Sequence, residues 1–303
     1  MNLAMRNIKV IVSDVDGTLL NDNKELSQKT IEAFIRAQQQ GYKMVLATGR
    51  GIDMVIGFAK QLKMDEYGGY IVGFNGQQVL ELATNTFHED AYLEPEITKS
   101  VFKFAKKHSL QLVLEHKQGF LIYTPWVFFP LRIYAAYIRV RHKRMKKKNQ
   151  TYHMISGYLI KPSLQVDMLS TLKQLDQPVA KIGISQYNGW LSMKYPKIMN
   201  QFSHQISITK VAPYWIDVMP KGIDKSVGLK WVSERLDIPM SDFLAFGDAE
   251  NDIAMMHAVD IGVAMQNAMS NLKEVTSITI DETNNDEGVA KTINKICEGT
   301  FIV

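Results

Sequence analysis

The sequence has little of what stabilises small secreted folds. Among its 303 residues there is one cysteine, Cys297, so an intramolecular disulfide and a zinc site built from several cysteines are both excluded. Residues 1–7 also lack the basic and apolar pattern of a secretory signal peptide. These absences predict a protein of the reducing cytoplasm.

Long uninterrupted apolar runs are missing as well. The stretch 120–138 approaches the length of a membrane-spanning helix, but Pro125, Pro130 and Arg132 interrupt it. We therefore expect no membrane span. Hydrophobic residues make up 46% of the chain, which is enough to fill the core of a soluble globular protein.

Positive charge is concentrated in one part of the chain. The net charge is +4, yet residues 139–148, RVRHKRMKKK, hold seven Lys and Arg and no acid, so subtracting these seven charges leaves −3 for the rest. This basic run is interpreted as the exposed end of a helix. Attraction of anionic substrates and contact with nucleic acid are the alternatives. The run lacks the interleaved aromatic residues of a single-strand reader, which argues against nucleic acid.

Short apolar strands alternate with helical stretches at both ends of the chain. The pattern predicts a strand over 8–13, a helix from Ser27 to Gln40, a strand over 43–47 and a helix over 52–63. The same alternation returns with strands at 215–218, 243–246 and 261–263 and helices at 226–236 and from 252. Apolar strands of this kind are typical of a parallel sheet buried on both faces. The predicted fold class is α/β, with a Rossmann-like parallel-sheet core.

The middle of the chain follows a different pattern. Between 83 and 212 it is irregular and aromatic-rich, with strand-like pieces at 181–185 and 205–210. The economical interpretation is an α/β core formed by residues 1–82 and 213–303, with residues 83–212 inserted as an α+β cap domain. The aromatic residues between Tyr123 and Tyr137 are interpreted as core, and stacking on a base or isoalloxazine ring is the alternative.

Two carboxylates follow the first predicted strand, in SDVDGTLL (13–20). Chemistry in open parallel sheets takes place beyond the carboxyl ends of the strands, which is where Asp14 and Asp16 stand. Gly17 permits a tight turn whose backbone N–H groups can face an anion. Taken alone, such a pair is also typical of a simple turn or helix cap.

Three further segments place polar groups behind predicted strands. The second strand leads into Thr48-Gly49-Arg50, a late strand leads into the acidic cluster GDAEND (247–252), and MPKGIDK (219–225) supplies Lys221 and Lys225 at a helix start. Carboxylates combined with cations and a hydroxyl fit a hard divalent metal and a phosphoryl group. Their order and placement favour one joint site over four separate turns.

In these residues the chain resembles the haloacid dehalogenase-like hydrolases, and more narrowly the Cof-type phosphatases, which carry a large cap between the second and third motifs. The resemblance covers both core segments, including GVAMQNAMSNLKEV (262–275) and DEGVAKTI (286–293). It implies that Asp14 is the nucleophile that forms an aspartyl-phosphate, and that Asp16 is the general acid and base. The acid at Asp16 points to hydrolysis or transfer of a phosphomonoester.

The same resemblance implies the remaining roles. Mg²⁺ would bind the Asp14 carboxylate, the Asp16 backbone carbonyl and Asp248. Thr48, Gly49, Lys225 and Asn251 would hold the phosphoryl oxygens. Asp252 would stabilise the residues that bind the metal and the phosphate without binding either itself. Arg50 would contact phosphate or anchor the cap. The family usually reads NGA where this chain has Asn75-Gly76-Gln77, so a substrate-facing Asn75 would bear on specificity.

The leading hypothesis is a Mg²⁺-dependent phosphatase for small phosphorylated metabolites, such as sugar phosphates or flavin-pathway phosphomonoesters. A phosphotransferase or phosphomutase of the same fold is the first alternative, since it would use the same nucleophile. A nucleic-acid-binding or regulatory protein that works through the basic run is the second.

Overall fold

Strands and helices alternate through the first ninety residues, as the hydrophobic pattern predicts. The structure is a computed structural model that describes residues 7–90, 92–116, 119–127, 129–148, 152–153, 159–160, 164–186 and 189–301. This segment contains β1 (Val10–Ser13), α1 (Gln28–Gln39), β2 (Lys43–Ala47), α2 (Ile52–Gln61), α3 (Met64–Tyr67), β3 (Tyr70–Gly73), β4 (Gln78–Glu81) and β5 (Thr86–Glu89). The Ser27 side chain accepts a hydrogen bond from the Thr30 backbone N–H at 3.1 Å, so the predicted start of α1 is confirmed.

The middle of the chain mixes antiparallel strands with helices. Its elements are α4 (Pro95–His108), β6 (Gln111–His116), β7 (Gly119–Tyr123), α5 (Phe129–Lys147), β8 (Tyr152–His153), β9 (Leu159–Ile160), β10 (Gln165–Met168), β11 (Lys181–Ser185), α6 (Trp190–Phe202), β12 (Ile206–Ala212) and β13 (Trp215–Pro220). The final segment returns to alternation, with α7 (Lys225–Leu236), β14 (Phe243–Gly247), α8 (Ile253–Ala258), β15 (Ile261–Ala264), α9 (Ser270–Lys273), β16 (Ile278–Thr279) and α10 (Gly288–Cys297).

The chain divides into two compact units. Unit 1 consists of Met1–Asp90 and Asp224–Val303, and unit 2 of Ala91–Ile223. The sequence placed the two boundaries at 82/83 and 212/213. Among the described residues, no helix has both the length and the apolar composition that a membrane span requires.

Unit 1 is built on an eight-stranded sheet in the order β16-β15-β14-β1-β2-β3-β4-β5. The pairs from β16 to β3 are parallel, while β4 and β5 continue the sheet antiparallel at one edge. Strands β1, β2, β14 and β15 are almost wholly buried, because helices on both faces cover a parallel sheet. The predicted α/β class with a parallel-sheet core is confirmed.

The order of the strands determines where a ligand can bind. The chain runs from β1 outward through β2 and β3, then returns to the other side of β1 with β14 and continues outward through β15 and β16. The reversal creates a crevice beyond the carboxyl end of β1. Ser13 is aligned with Leu46 of β2 and with Phe246 of β14. The residues that follow these three strands therefore emerge side by side.

Unit 2 contains a six-stranded sheet in the order β10-β7-β6-β11-β13-β12. Helices α4 and α6 pack on one of its faces through Val101, Ala105, Leu191 and Ile198. The described pairings among β6, β7, β11, β12 and β13 are antiparallel, and β10 joins β7 in parallel.

The assignment of strand 215–218 to the α/β core was wrong. The strand is β13, and it lies between β11 and β12 in the sheet of unit 2. Only Pro213 and Tyr214 separate β12 from β13. A tight hairpin between adjacent strands has a much smaller entropic cost of loop closure than a crossover to the parallel sheet. The expected convergence of four core strand ends is therefore a convergence of three, completed by the start of α7.

Candidate active site

The candidate nucleophile stands directly beyond the end of β1. The Asp14 backbone N–H donates to the carbonyl of Phe246 at 3.0 Å, which continues the pairing of β1 with β14 by one residue. Its side chain is only 7% exposed. The sequence prediction that Asp14 stands at a buried strand end beside the cluster 247–252 is confirmed in position.

Lys225 lies between two carboxylates. It is the first residue of α7, where the Asp224 side chain caps the helix by accepting from the Ser226 backbone N–H at 2.9 Å. Its Nζ donates to Asp14 Oδ1 at 2.5 Å and to Asp252 Oδ1 at 2.6 Å, and the side chain is fully buried. Burial by itself lowers the pKa of Lys225, but the two carboxylates outweigh it and raise the pKa above its ordinary value. Lys225 therefore remains a cation.

Lys221, the other candidate lysine, is exposed and donates to the carbonyl of Ser203 at 2.6 Å. It lies in unit 2. The structure thus brings together with Asp14 the lysine that the motif spacing favoured.

Asp252 holds the loop that carries Asp248. Its Oδ2 accepts from the backbone N–H groups of Asp248 and Ala249, both at 3.0 Å, while its Oδ1 accepts from Lys225. Both oxygens of this fully buried carboxylate are therefore engaged. Thr18, two residues beyond Asp16, donates from its hydroxyl to Asp248 Oδ1 at 2.8 Å. Sequence reasoning did not assign Thr18 a role, although it stands next to Gly17 in the motif.

The carboxylates of Asp14, Asp248 and Asp252 offer oxygen atoms that all lie within 4.8 Å of one another. Burial raises the pKa of Asp14 to about 7, with Lys225 opposing and Asp252 adding to the rise. Burial likewise raises the pKa of Asp248 well above its usual range, and the charge of Asp14 adds to it. One ammonium group therefore does not neutralise three carboxylates, and a divalent cation with oxygen ligands fits this cluster.

Asp16 has different partners. Arg50 donates to it twice, from Nε to Oδ2 at 2.6 Å and from Nη2 to Oδ1 at 2.5 Å, and Lys24 Nζ lies 2.9 Å from Oδ1. Burial raises the pKa of Asp16, but the hydrogen bonds and charge of Arg50, with Lys24 adding to them, hold it below its usual range. The carboxylate of Asp16 is therefore an ionised acceptor in this arrangement.

Arg50 was expected to contact phosphate or the cap, and the structure pairs it with Asp16. Its side chain is 4% exposed. Within the described part of the chain its Nη1 is buried and has no hydrogen-bond partner. Lys24 was not identified from the sequence, because it stands eight residues beyond Asp16 in an unremarkable polar turn.

Thr48 and Asn251 are linked through the left-handed turn at Asn75 and Gly76. Thr48 accepts the Arg50 N–H on Oγ1 at 3.1 Å and the Asn75 N–H on its carbonyl at 2.9 Å. Asn251 Nδ2 donates to Asn75 Oδ1 at 3.0 Å. Asn75 has a φ of 51° and Gly76 a φ of 100°. The turn therefore links the second motif to the acidic loop, and Gly49 stands between Thr48 and Arg50 beside it.

A second set of contacts fixes the turn after Asp16. Asn267 Nδ2 donates to the carbonyl of Gly17 at 2.8 Å, and its Oδ1 accepts the Asn284 N–H at 3.0 Å. Asn284 Nδ2 in turn donates to the carbonyl of Leu20 at 3.0 Å. At Gly17 the φ is +79°, and a Cβ there would lie 2.5 Å from Asp248 Oδ2. Only glycine allows this close approach.

The chain matches the family model of the haloacid dehalogenase-like hydrolases over residues 11–293. It therefore belongs to this family, and the resemblance inferred from the motifs is confirmed.

Known proteins resemble the chain along nearly its whole length. The Bacillus subtilis protein 5-amino-6-(5-phospho-D-ribitylamino)uracil phosphatase YcsE is 26% identical over 289 residues, covering 94% of each chain. A haloacid dehalogenase-like hydrolase from Bacteroides thetaiotaomicron is 27% identical with a TM-score of 0.72, over 95% of this chain and 99% of its own. The subclass IIB sugar phosphatase BT4131 shares the fold, with a TM-score of 0.74 at 19% identity over 97% of this chain and 100% of its own. The predicted class of enzyme, a phosphoric monoester hydrolase, is confirmed.

Proposed function

We propose that the protein is a Mg²⁺-dependent phosphatase that hydrolyses small phosphorylated metabolites through an aspartyl-phosphate on Asp14. The observation that carries this proposal is the position of Asp14, whose Oδ1 is bonded to a buried lysine while its carboxylate belongs to a cluster of three acids. Lys225 orients the Asp14 carboxylate and opposes the protonation that burial favours.

Asp14 and Asp248 would hold Mg²⁺ with the backbone carbonyl of Asp16. The ion would supply positive charge against the phosphoryl oxygens and the clustered carboxylates. Asp252 has both oxygens committed to Lys225 and the backbone of the loop. Its proposed role is therefore to position Lys225 and Asp248.

In the first step an Asp14 oxygen forms a bond to phosphorus, and the bond between phosphorus and the leaving oxygen breaks. The leaving oxygen takes a proton from Asp16. In the second step a water attacks phosphorus and gives its proton to Asp16, and the bond to Asp14 breaks. Thr48, Gly49, Lys225 and Asn251 would hold the phosphoryl oxygens through both steps.

The Arg50 pair bears on the protonation of Asp16. A carboxylate held by a bidentate guanidinium is a poor proton donor, so Asp16 serves as an acid only when its contact with Arg50 loosens. The same contact suits the second step, which needs Asp16 as an ionised base. We propose that Arg50 positions Asp16 and favours its ionised form between turnovers.

For the substrate we propose a phosphomonoester of a sugar or of a compound on the route to flavins. Two relatives support this choice by name, one as a phosphatase for 5-amino-6-(5-phospho-D-ribitylamino)uracil and one as a sugar phosphatase. Unit 2 would provide substrate selection, the role predicted for the insert. The single cysteine supports a cytoplasmic location.

The test is phosphate release from p-nitrophenyl phosphate and from a panel of sugar phosphates, nucleotides and flavin mononucleotide, with and without Mg²⁺. We expect Mg²⁺-dependent release by the wild type and a loss of at least about a thousandfold in Asp14→Asn. Asp65→Asn, which removes an exposed carboxylate from α3, is the matched control and should leave the rate unchanged. Phosphate release by Asp14→Asn at the wild-type rate would remove Asp14 as the nucleophile. Transfer of phosphate to a second hydroxyl instead of water would establish the phosphotransferase alternative.

A further inference from the structure

Unit 2 contains a groove of about 680 Å³ that the proposed catalytic chemistry does not use. Residues of α4, of α5 and of the segments at the ends of β7 and β10 line it. All of its lining residues belong to unit 2, and none is a residue of the candidate active site. Its volume lies in the range of sites for small molecules. We call it the α5 groove.

One face of α5 lines this groove. Arg132, Ala136, Arg139, Val140 and Lys143 all border it, and their spacing of three and four residues places them along one side of a helix. A different side carries the buried residues Ala135, Ile138 and His142. The basic run at the end of α5 is therefore not uniform. Arg139 and Lys143 border the groove, while Arg144 and Lys147 are exposed and do not.

The lining of the groove is strongly positive. Lys106 of α4 joins Arg132, Arg139 and Lys143, and none of the described residues that line the groove is an acid. Among the described residues, no carboxylate forms an ion pair with Lys106, Arg139 or Lys143. Four cations around one concave space repel each other, and a bound anion of charge −2 or more would remove that repulsion.

An aromatic ring stands among these cations. Trp126 is 80% exposed, and the guanidinium of Arg132 lies 3.2 Å from the centroid of its ring. A stacked guanidinium covers one face of the indole, and such exposure leaves the other face open to a planar group. The structure therefore differs here from the expectation that the aromatic residues of 123–137 are core, because Phe129 and Tyr137 are also largely exposed. Phe128 lies outside the described residues.

Hydroxyl groups also line the groove, among them those of Thr124 and Ser170. Thr124 is buried, and its Oγ1 accepts from Gln111 Nε2 at 3.3 Å. Ser170 is exposed. Hydroxyls beside cations and an indole suit a ligand that has phosphate oxygens at one end and a flat ring at the other.

We propose that the α5 groove binds a nucleotide-class ligand, a planar heterocycle that carries two or more phosphate charges, with the ring on Trp126 and the phosphates between Arg139, Lys143 and Lys106. The site is an addition to the proposed catalysis and does not depend on it.

Binding of ADP is measured by isothermal titration calorimetry with the full-length Asp14→Asn variant in the presence of EDTA. EDTA prevents binding through a metal ion, and the substitution prevents hydrolysis of the ligand. Pyrophosphate supplies the charge without the ring, and adenosine supplies the ring without the charge. We expect ADP to bind about tenfold or more tightly than either. Trp126→Leu should reduce ADP to the affinity of pyrophosphate.

The charge requirement is tested by two double variants of equal net charge. Arg139→Glu with Lys143→Glu should weaken ADP about tenfold or more, whereas Arg144→Glu with Lys147→Glu should change it less than about threefold. All four positions are exposed, and matching thermal unfolding midpoints confirm that each variant is folded.

Three outcomes would overturn the proposal. Equal losses in the two double variants would show non-specific attraction to the basic run. Pyrophosphate binding as tightly as ADP would remove the ring contact with Trp126. If ADP gives no binding heat at about 1 mM but a short oligonucleotide binds, the ligand of the groove is nucleic acid and not a small nucleotide. Each result is independent of phosphate release by the wild type, so failure of this proposal leaves the catalytic one standing.

Discussion

Removal of the Lys225 charge is the sharpest test of the carboxylate cluster. Lys225→Met keeps the length and apolar stem of the side chain but deletes the ammonium group. In the wild type that group lies 2.5 Å from Asp14 and 2.6 Å from Asp252, with no exposed surface. In the variant, three neighbouring carboxylates are left without their internal cation.

The expected loss of stability follows from this burial. Removing one partner from a buried ion pair costs about 3–5 kcal/mol, because the other charge stays desolvated. Lys225 serves two carboxylates, but part of the cost is relieved when Asp14 takes up a proton, since burial already raises the pKa of that group to about 7. We therefore expect the free energy of unfolding to fall by about 4 kcal/mol at pH 7 and part of this loss to return when Mg²⁺ is added.

The assay is urea unfolding followed by circular dichroism, with and without Mg²⁺, alongside phosphate release. We expect the turnover rate to fall about a hundredfold to a thousandfold, since in the proposed mechanism Lys225 is a preorganised donor beside the developing phosphoryl charge. Lys221→Met is the matched control. Its ammonium is exposed and bonds a backbone carbonyl, so it should change stability by less than about 0.5 kcal/mol and leave turnover intact.

A Lys225→Met variant that unfolds within about 1 kcal/mol of the wild type and also retains its turnover would refute the role of Lys225 in balancing the buried carboxylates. That result would mean that the cluster is neutralised by another route. A large and equal loss in Lys221→Met would show that the assay reports general sensitivity of the fold rather than the buried triad.

Two further predictions concern the turns around the site. Gly76→Ala should lower the free energy of unfolding by at least about 2 kcal/mol, because a Cβ there would lie 1.9 Å from the Asp224 carbonyl oxygen at a φ of +100°. Gly57→Ala, at an exposed position of α2 with no atom within 4 Å, should instead raise it by about 0.5–1 kcal/mol, and equal effects in both would contradict the packing argument. In Arg50→Gln the stability deficit in urea unfolding should be larger at pH 7 than at pH 3. The pKa of Asp16 lies below its usual range, so the stabilisation by the pair is present above pH ~4 and lost as pH falls through the folded-state pKa. A deficit independent of pH would show that the Asp16 charge does not carry the effect.

Sequence reasoning located the candidate site because the relevant signals are local. An apolar run followed by an acid specifies a strand end, and Asp14 and Asp248 both follow such runs. In a parallel sheet those ends share one edge, so the two carboxylates had to be neighbours once β1 and β14 paired. The sequence also placed Lys225 at a helix start, and α7 begins at this residue.

Other features depended on pairings that the local pattern does not specify. The strand at Trp215–Pro220 is apolar apart from Asp217, yet its hairpin with β12 places it in the sheet of unit 2. The partner of Arg50 could not be read, because Asp16 stands 34 positions earlier in the chain. The exposure of Trp126 was also hidden, since an aromatic residue has the same sequence signature in a core and in a groove.

By itself the sequence determined the class of fold, the family and the residue types that meet beyond β1, because strand periodicity and motif order act over short distances along the chain. Only the tertiary structure decided which charge faces which. It gave Lys225 to Asp14 and Asp252, Arg50 and Lys24 to Asp16, and the open face of α5 to a basic groove. Electrostatic partners are set by distances through space, and residues far apart in the chain acquire those distances only when the sheets and helices pack.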